Sequence, residues 1–394
     1  MNTIQYINEY CSGCGLCKSV YNIEFHTNDR GFPNAHVKTE AEAEKLKPVC
    51  PVFCYEKDTA MNVWGTYTDT YIGWSSDPKI RFMCSSGGAL TAISIFLLEK
   101  GFVDGIVHST YNPNNPTETI TVISKTNEEI LQRSGSRYCI SVPLEKIKEL
   151  IDVDRKYAFI GKPCDVMALR NYININVEYR KCFPFLLSFF CAGEPSPYAQ
   201  QRLLLRLNTE LKDCKTITYR GNGWPGLTTV VSKNGETKQI EYKEAWGKYL
   251  GRDLRTLCHF CLDGTGDSAD IVCADFWYLN DQEEPDFSEH EGRNIIISRT
   301  EIGNKVIKQA CNDGYIIIDE YFTDKMETEF KKYQPNQFAR KANMKTMIDA
   351  LHLFGRETPA YNSKLLKRYS KNITTYKKAR FFLGTIKRIK KGRL

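Results

Sequence analysis

Three cysteines at two-residue gaps, Cys11-Ser12-Gly13-Cys14-Gly15-Leu16-Cys17, constrain this chain more than any other stretch. Thiolates at that spacing converge on one face of a cubane iron–sulfur cluster, and the intervening glycines let the backbone wrap tightly. A 4Fe-4S cluster needs a fourth thiolate. The bacterial ferredoxin run would place it four residues on, before a proline, but Tyr21-Asn22 stands there. Cys50-Pro51 supplies the missing pair, so the first set reads Cys11, Cys14, Cys17 and Cys50, with Cys54 as spare or substitute. A structural zinc knuckle competes, since zinc also takes four thiolates.

With 394 residues and 42% hydrophobic content the chain can bury a real core. Fifteen cysteines without an apolar signal region at Met1-Asn2-Thr3-Ile4-Gln5 place it in a reducing cytoplasm rather than among disulfide scaffolds. The apolar run Ile93–Leu98 is too short to span a bilayer. The net charge of +7 is a property of the tail: Lys364–Leu394 holds twelve Lys or Arg and no acid, leaving 42 basic against 47 acidic residues elsewhere. Nucleic-acid binding is therefore not expected of the folded body.

Residues 1–60 read as a small ferredoxin-like 4Fe-4S module, with turn chemistry at Asn28-Asp29-Arg30-Gly31-Phe32-Pro33. Residues 61–150 form a first α/β region. In it Ser85-Ser86-Gly87-Gly88 precedes a helix over 89–100, where free N–H groups and the positive helix end suit a phosphate; a plain helix cap explains it as well. Tyr111–Pro116 reads as a loop, and Arg133-Ser134-Gly135-Ser136-Arg137-Tyr138 offers two guanidinium groups to a pyrophosphate or is a solvated loop.

Residues 151–345 continue the alternation of strand and helix. Strands at Tyr157–Ile160 and Phe185–Phe190 deliver Cys164 and Cys191 to their carboxyl ends, where ligands of open α/β sheets collect. Free core thiols would look the same. Cys258-His259-Phe260-Cys261 supplies two more ligands, so Cys164, Cys191, Cys258 and Cys261 form the second set; a thioredoxin-like dithiol is the rival reading. Cys84, Cys139, Cys182, Cys214, Cys273 and Cys311 read as packed thiols, and a helix is expected from Pro197 to Leu211. Tyr219–Gly226 holds Trp224, either a cover for a flat ring or a surface turn. From 346 to 394 a basic tail follows, with Phe382, Ile386 and Ile389 at i, i+4, i+7. A helix there is amphipathic and cationic, suited to an anionic membrane surface or an acidic partner, or else simply solvated.

The cysteine run, Ser85-Ser86-Gly87-Gly88, Gly135-Ser136-Arg137-Tyr138, Gly161-Lys162-Pro163-Cys164, Cys191 with Gly193, and Cys258-His259-Phe260-Cys261-Leu262-Asp263 with Ala269-Asp270-Ile271 occur in this order. The series resembles the coenzyme F-420 hydrogenase/dehydrogenase beta-subunit family over about residues 5–320. These are iron–sulfur flavoproteins, among them deazaflavin-reducing subunits of archaeal hydrogenase and formate dehydrogenase and the plant 7-hydroxymethyl chlorophyll a reductase. The resemblance implies a mixed α/β flavin- and cluster-binding body and an oxidoreductase with FAD beside 4Fe-4S clusters. A second complete N-terminal ferredoxin motif, seen in some relatives, is missing here. The basic tail lies outside the family core and is similar to stand-alone members associated with bacterial surface-polysaccharide genes.

On that reading Ser85, Ser86, Gly87, Gly88, Gly135, Ser136, Arg137 and Tyr138 hold FAD, and Lys162 tunes the reduced flavin unless it is a surface lysine. One cluster sits in the N-terminal module and one in the body. Electrons come from ferredoxin or another redox protein and leave to coenzyme F-420 or an organic, sugar-linked acceptor. A non-catalytic electron-transfer subunit and a zinc-binding interaction protein are the alternatives; an oligomer is possible.

Overall fold

The computed structural model describes residues 2–54 and 62–390. The expected boundary at 60/61 lies outside the described residues. The N-terminal segment pairs a short antiparallel hairpin, β1 (Phe25–Thr27) and β2 (Pro33–Ala35), with helices Thr3–Glu9, Leu16–Tyr21 and Glu40–Leu46. Ile7, Ile23, Ala35, Val37, Ala43 and Leu46 pack round Cys11 as its own small core.

The body is a mixed eight-stranded sheet. Its strands are β3 (Asp69–Ser75), β4 (Gly105–Asn112), β5 (Asn115–Ser124), β6 (Tyr157–Gly161), β7 (Phe185–Phe189), β11 (Ile271–Asp275), β12 (Asn294–Ser298) and β13 (Ile316–Tyr321). They run in the order β13-β3-β12-β11-β7-β6-β4-β5. The four central strands β11, β7, β6 and β4 are parallel, and antiparallel strands extend both sides. Between them in sequence, β8 (Cys214–Thr218), β9 (Leu227–Ser232) and β10 (Thr237–Glu241) make a separate antiparallel sheet.

The period of two along β6 and β7 explains why the sheet is covered twice. Tyr157, Phe159 and Leu186 enter one core with helix Pro163–Ile175, whereas Ala158, Phe185 and Leu187 enter another with helices Ala89–Glu99 and Glu301–Asn312. Strands buried on both faces are near-continuously apolar, as these are. Each side chain so buried contributes roughly 1.5–3 kcal/mol.

Three local expectations are corrected. Tyr111–Pro116 is the tip of the β4–β5 hairpin rather than a loop, because Tyr111 pairs with Thr119 and Asn112 with Asn115. The helix from Pro197 ends at Arg206, where Leu207 and Thr209 turn back to bond the carbonyls of Leu203 and Leu204. The helix Pro335–Leu353 runs unbroken through 346, where the tail was expected to begin.

The tail itself is folded onto the body. Helices Ser363–Ser370 and Thr375–Lys390 pack against Pro335–Leu353, and Met344, Met347, Leu351, Leu366, Tyr369 and Ile389 share the core that holds Tyr157 and Phe159. The last helix buries Thr385 and Ile389 against the body and half-buries Phe382 and Ile386, while Tyr376 and Leu383 are exposed and Lys377, Arg380, Lys387 and Lys390 face out. Among the described residues no helix is long and apolar enough to cross a membrane. Ile389→Ala should accordingly lower stability to urea by about 2 kcal/mol, the usual cost of emptying a core site. A tail free of the body would unfold no earlier with that change.

Candidate functional site

The carboxyl ends of β6, β7 and β11 meet at one cavity of about 240 Å³. Gly161 ends β6 and Lys162 follows it, Phe190 to Pro195 follow β7, and Asp275 ends β11; all line it. Ser85, Ser86 and Gly88 come from before helix Ala89–Glu99, and Gly135, Ser136, Arg137 and Tyr138 line the cavity beside them. The two serine-rich stretches are tied together: the backbone N–H of Ser136 donates to Ser85 Oγ at 3.2 Å, and the two hydroxyls meet at 2.9 Å.

Gly87 is the exception among the expected residues. It sits at φ +83° with its backbone against Gly292, whose carbonyl a Cβ would strike, so its role is close packing rather than contact with a ligand. The first N–H of the helix is also taken, since Ala89 donates to Asn294 Oδ1 at 3.1 Å. Arg133 is committed to protein, donating to Ser124 Oγ at 2.9 Å and pairing with Glu129. Arg137 is different. Its Nη atoms reach only the carbonyls of Ser134 and Ser136, and its buried Nε has no partner among the described residues. A buried donor left without a partner costs about 1–3 kcal/mol.

Lys162 is no surface lysine. Its side chain is 13% exposed, and Nζ lies 3.0 Å from Asp165, 3.5 Å from Glu194 and 3.1 Å from the Ser141 carbonyl. Burial favours the neutral amine, but the two carboxylates outweigh it and raise the pKa, so the ammonium persists. Trp224 is likewise inside rather than on a surface turn. It stacks on Trp277 at 4.8 Å and donates from Nε1 to Asp275 Oδ1 at 2.7 Å, while Arg220 grips the same carboxylate with two 2.9 Å bonds.

Four cysteines, Cys164, Cys191, Cys258 and Cys261, rim one void of about 30 Å³. This void and the large cavity share Lys162, Cys191, Gly193 and Glu194 as a common wall. Burial first, then neighbouring thiolates, pushes Cys191 up to about 11 and Cys258 to about 12. The Glu194 N–H donates to Cys258 Sγ at 3.4 Å.

The N-terminal cysteines form a second group. Burial is the main cause of the raised pKa of Cys17, and the charges of Cys11, Cys14 and Cys50 add to it. Cys50 interacts in the same way with Cys14, Cys11 and Cys54, while Cys54 Sγ accepts from Asn171 at 3.2 Å. Cys11 Sγ accepts from the N–H groups of Gly13 and Ala35 at 3.4 and 3.3 Å. Among the described residues no three His, Cys, Asp or Glu side chains converge tightly enough for one metal ion. Of the thiols read as packing, Cys84, Cys139 and Cys273 are buried but also line the large cavity.

Residues 70–149 match the family described as "Coenzyme F420 hydrogenase/dehydrogenase, beta subunit N-term", and residues 154–323 match the carboxyl-terminal region of the same family. The chain belongs to the coenzyme F420 hydrogenase/dehydrogenase beta-subunit family. It is 26% identical over 246 residues to the F420-dependent formate dehydrogenase subunit beta of Methanocaldococcus jannaschii, covering 62% of this chain and 60% of that protein. It is 27% identical over 259 residues to the coenzyme F420 hydrogenase subunit beta of Methanosarcina barkeri, covering 64% of this chain and 81% of that one. The 7-hydroxymethyl chlorophyll a reductase of Oryza sativa subsp. japonica is 20% identical over 312 residues, covering 76% of this chain and 60% of the reductase. A chain of the F420-reducing [NiFe] hydrogenase complex of Methanosarcina barkeri shares the fold, with a TM-score of 0.55 and 22% identity over 78% of this chain and all of that one. The chain thus spans about three fifths of the length of the formate dehydrogenase subunit and of the chlorophyll reductase that it matches.

The family match ends at 323, yet the helices beyond it cover the site. Gln337 and Arg340 donate to the Cys191 carbonyl at 3.0 and 2.7 Å, and Lys341 reaches Thr265. Tyr361 donates to the Phe260 carbonyl at 2.7 Å, between Cys258 and Cys261, and Tyr10 to the Glu357 carbonyl. Reading motifs alone missed these residues, and also Asp165, Glu194, Arg220, Arg255 and Asp275. The available signal was charge inside an apolar motif: Asp165 follows Cys164 directly, and Glu194 lies three residues after Cys191.

Proposed function

We propose that the chain is an iron–sulfur flavoprotein oxidoreductase that takes electrons from a ferredoxin-like donor and gives them to a two-electron acceptor, a deazaflavin such as coenzyme F420 or an organic, sugar-linked substrate. The observation that carries this is the shared wall: Cys191, Gly193, Glu194 and Lys162 face both the cysteine void and the large cavity. Bound 4Fe-4S clusters would carry single electrons, and FAD would pair them into a hydride equivalent.

The residues divide the work. Cys164, Cys191, Cys258 and Cys261 would hold the inner cluster, and Cys11, Cys14, Cys17 and Cys50 the outer one. Ser85, Ser86, Gly88, Gly135, Ser136 and Tyr138 would line the FAD site, with the unpaired Nε of Arg137 as donor to a phosphate oxygen. Lys162, kept protonated by Asp165 and Glu194, would place a positive charge beside a reduced, anionic flavin. The outward-facing cations of the last helices suit an acidic protein donor.

Anaerobic purification followed by iron, sulfide and flavin quantitation tests the reading. A coloured protein with FAD and acid-labile sulfide is expected; a colourless zinc protein would overturn it. Arg137→Ala should weaken FAD binding roughly 10- to 100-fold, the worth of a charge-assisted hydrogen bond, as measured by flavin retention. Since relatives carry the name of subunits, turnover by the isolated chain with reduced ferredoxin separates an enzyme from an electron-transfer subunit that works only in a complex.

A further inference from the structure

Arg255 lies between the two cysteine sets and is used by nothing described so far. It is 2% exposed, and its guanidinium stacks over Phe32 at 4.7 Å. Nε donates to Glu194 Oε2 at 2.6 Å, and Nη1 donates to Asn34 Oδ1 at 2.5 Å and to the Pro33 carbonyl at 3.2 Å. Nη1 also reaches the Cys11 carbonyl at 3.5 Å. Nη2 is buried without a partner among the described residues. It points into the Cys11–Cys17 loop, where a Cβ on Gly13 would collide with it and with Cζ. Gly13, at φ +73°, is thus both turn and clearance.

The other side of Arg255 faces the inner set. Arg255 lines the void of Cys164, Cys191, Cys258 and Cys261, and Ser12 from the outer loop lines the same void. Its carbonyl accepts the Cys258 N–H at 3.0 Å. Arg255 interacts electrostatically with Cys11 from one set and Cys258 from the other, as well as with Glu194.

We propose that Arg255 is a positioning residue shared by the two clusters: a fixed cation that raises their reduction potentials and a donor, through Nη2, to a sulfur of the outer one. The inference rests on the cluster reading above. Reduction adds one negative charge to a cluster, and a buried cation beside it stabilises the reduced form, as does a hydrogen bond to sulfur. Only a planar fork can hold Glu194, Asn34 and the loop carbonyls while leaving one arm free, so lysine would keep the charge and lose the donor. Glu194 must act in the opposite sense, because its carboxylate offsets the guanidinium at 2.6 Å.

The test is an anaerobic dithionite titration of the full chain followed by electron paramagnetic resonance, on wild type, R255K, R255Q and E194Q, each after iron and sulfide analysis. The midpoint potential of the outer cluster should fall in R255Q, rise in E194Q and fall less in R255K than in R255Q. Shifts of one sign in R255Q and E194Q, or none, would overturn the proposal, since structural damage has no reason to produce opposite signs. Should R255Q not retain its clusters, unchanged potentials in R255K and E194Q overturn it equally. Wild-type protein without iron and sulfide would instead remove the cluster reading itself.

Discussion

Replacing Cys258 and Cys261 together by serine should cut iron and sulfide per chain by about half, leave the outer cluster and FAD in place, and stop electron delivery to the flavin. The geometry separates these outcomes. Cys258 and Cys261 line the small void only, whereas the large cavity is built from Ser85, Ser136, Arg137 and the ends of β6, β7 and β11. Metal analysis, flavin content and stopped-flow bleaching of the flavin by a reduced donor read the three quantities independently. Cys214→Ser is the control, because that thiol sits in the core of the three-stranded sheet with Ile217 and Val230, apart from both sets. Flavin reduction at the wild-type rate in the double variant would place electron flow on another route.

Arg220→Met should be the most destabilising single change round the cavity. Asp275 accepts both arms of Arg220, the indole N–H of Trp224 and the hydroxyl of Ser86. Burial pushes its carboxyl upward, but Arg220 together with the Ser86 and Trp224 hydrogen bonds outweighs that and holds it below the ordinary range. Removing the guanidinium leaves a buried, uncompensated carboxylate, at a cost of about 3–5 kcal/mol by urea unfolding. The pH dependence has a definite sign. In the wild type the folded pKa lies below the unfolded one, so the stability it confers is present above the unfolded value and lost as pH falls through the folded value. In the variant the Ser86 and Trp224 hydrogen bonds still oppose burial, but loss of the guanidinium raises the folded pKa. Its deficit should therefore grow as pH rises from roughly 4 towards 7 and shrink in acid. A deficit independent of pH would mean that Arg220 does not shift the pKa of Asp275 in the folded protein.

What the residues foretold was whatever local pattern controls. Strands β6 and β7 are short apolar runs ended by Gly161 and Cys191, and both sets of cysteines lie on spacings that belong to one turn of backbone or to one strand end. Hydrophobic periodicity and strand-end logic reach that far. The tail misled for the same reason. Lysines and arginines dominate it, and a charge run reads as solvated, although Met344, Met347, Ile348 and Leu351 recur at helical spacing and enter the main core. Gln337, Arg340, Lys341 and Tyr361 escaped notice because their partners are carbonyls and a hydroxyl 76 to 149 residues away, or 101 in the case of Tyr361. The sequence leaves Lys162 open between a flavin-tuning and a surface lysine, because a lysine is solvated unless carboxylates are brought to it, and Glu194 arrives only when β7 pairs with β6.

The cover formed by residues 335–361 has a temporal side. A chain leaves the ribosome from its amino end, and its parts fold in that order. Every cysteine of both sets has emerged by position 261, well before Gln337 and Arg340 can bond the Cys191 carbonyl or Tyr361 the Phe260 carbonyl. The thiols are therefore assembled first and roofed last. That order leaves an interval in which both sets of thiols have emerged without the cover of residues 335–361.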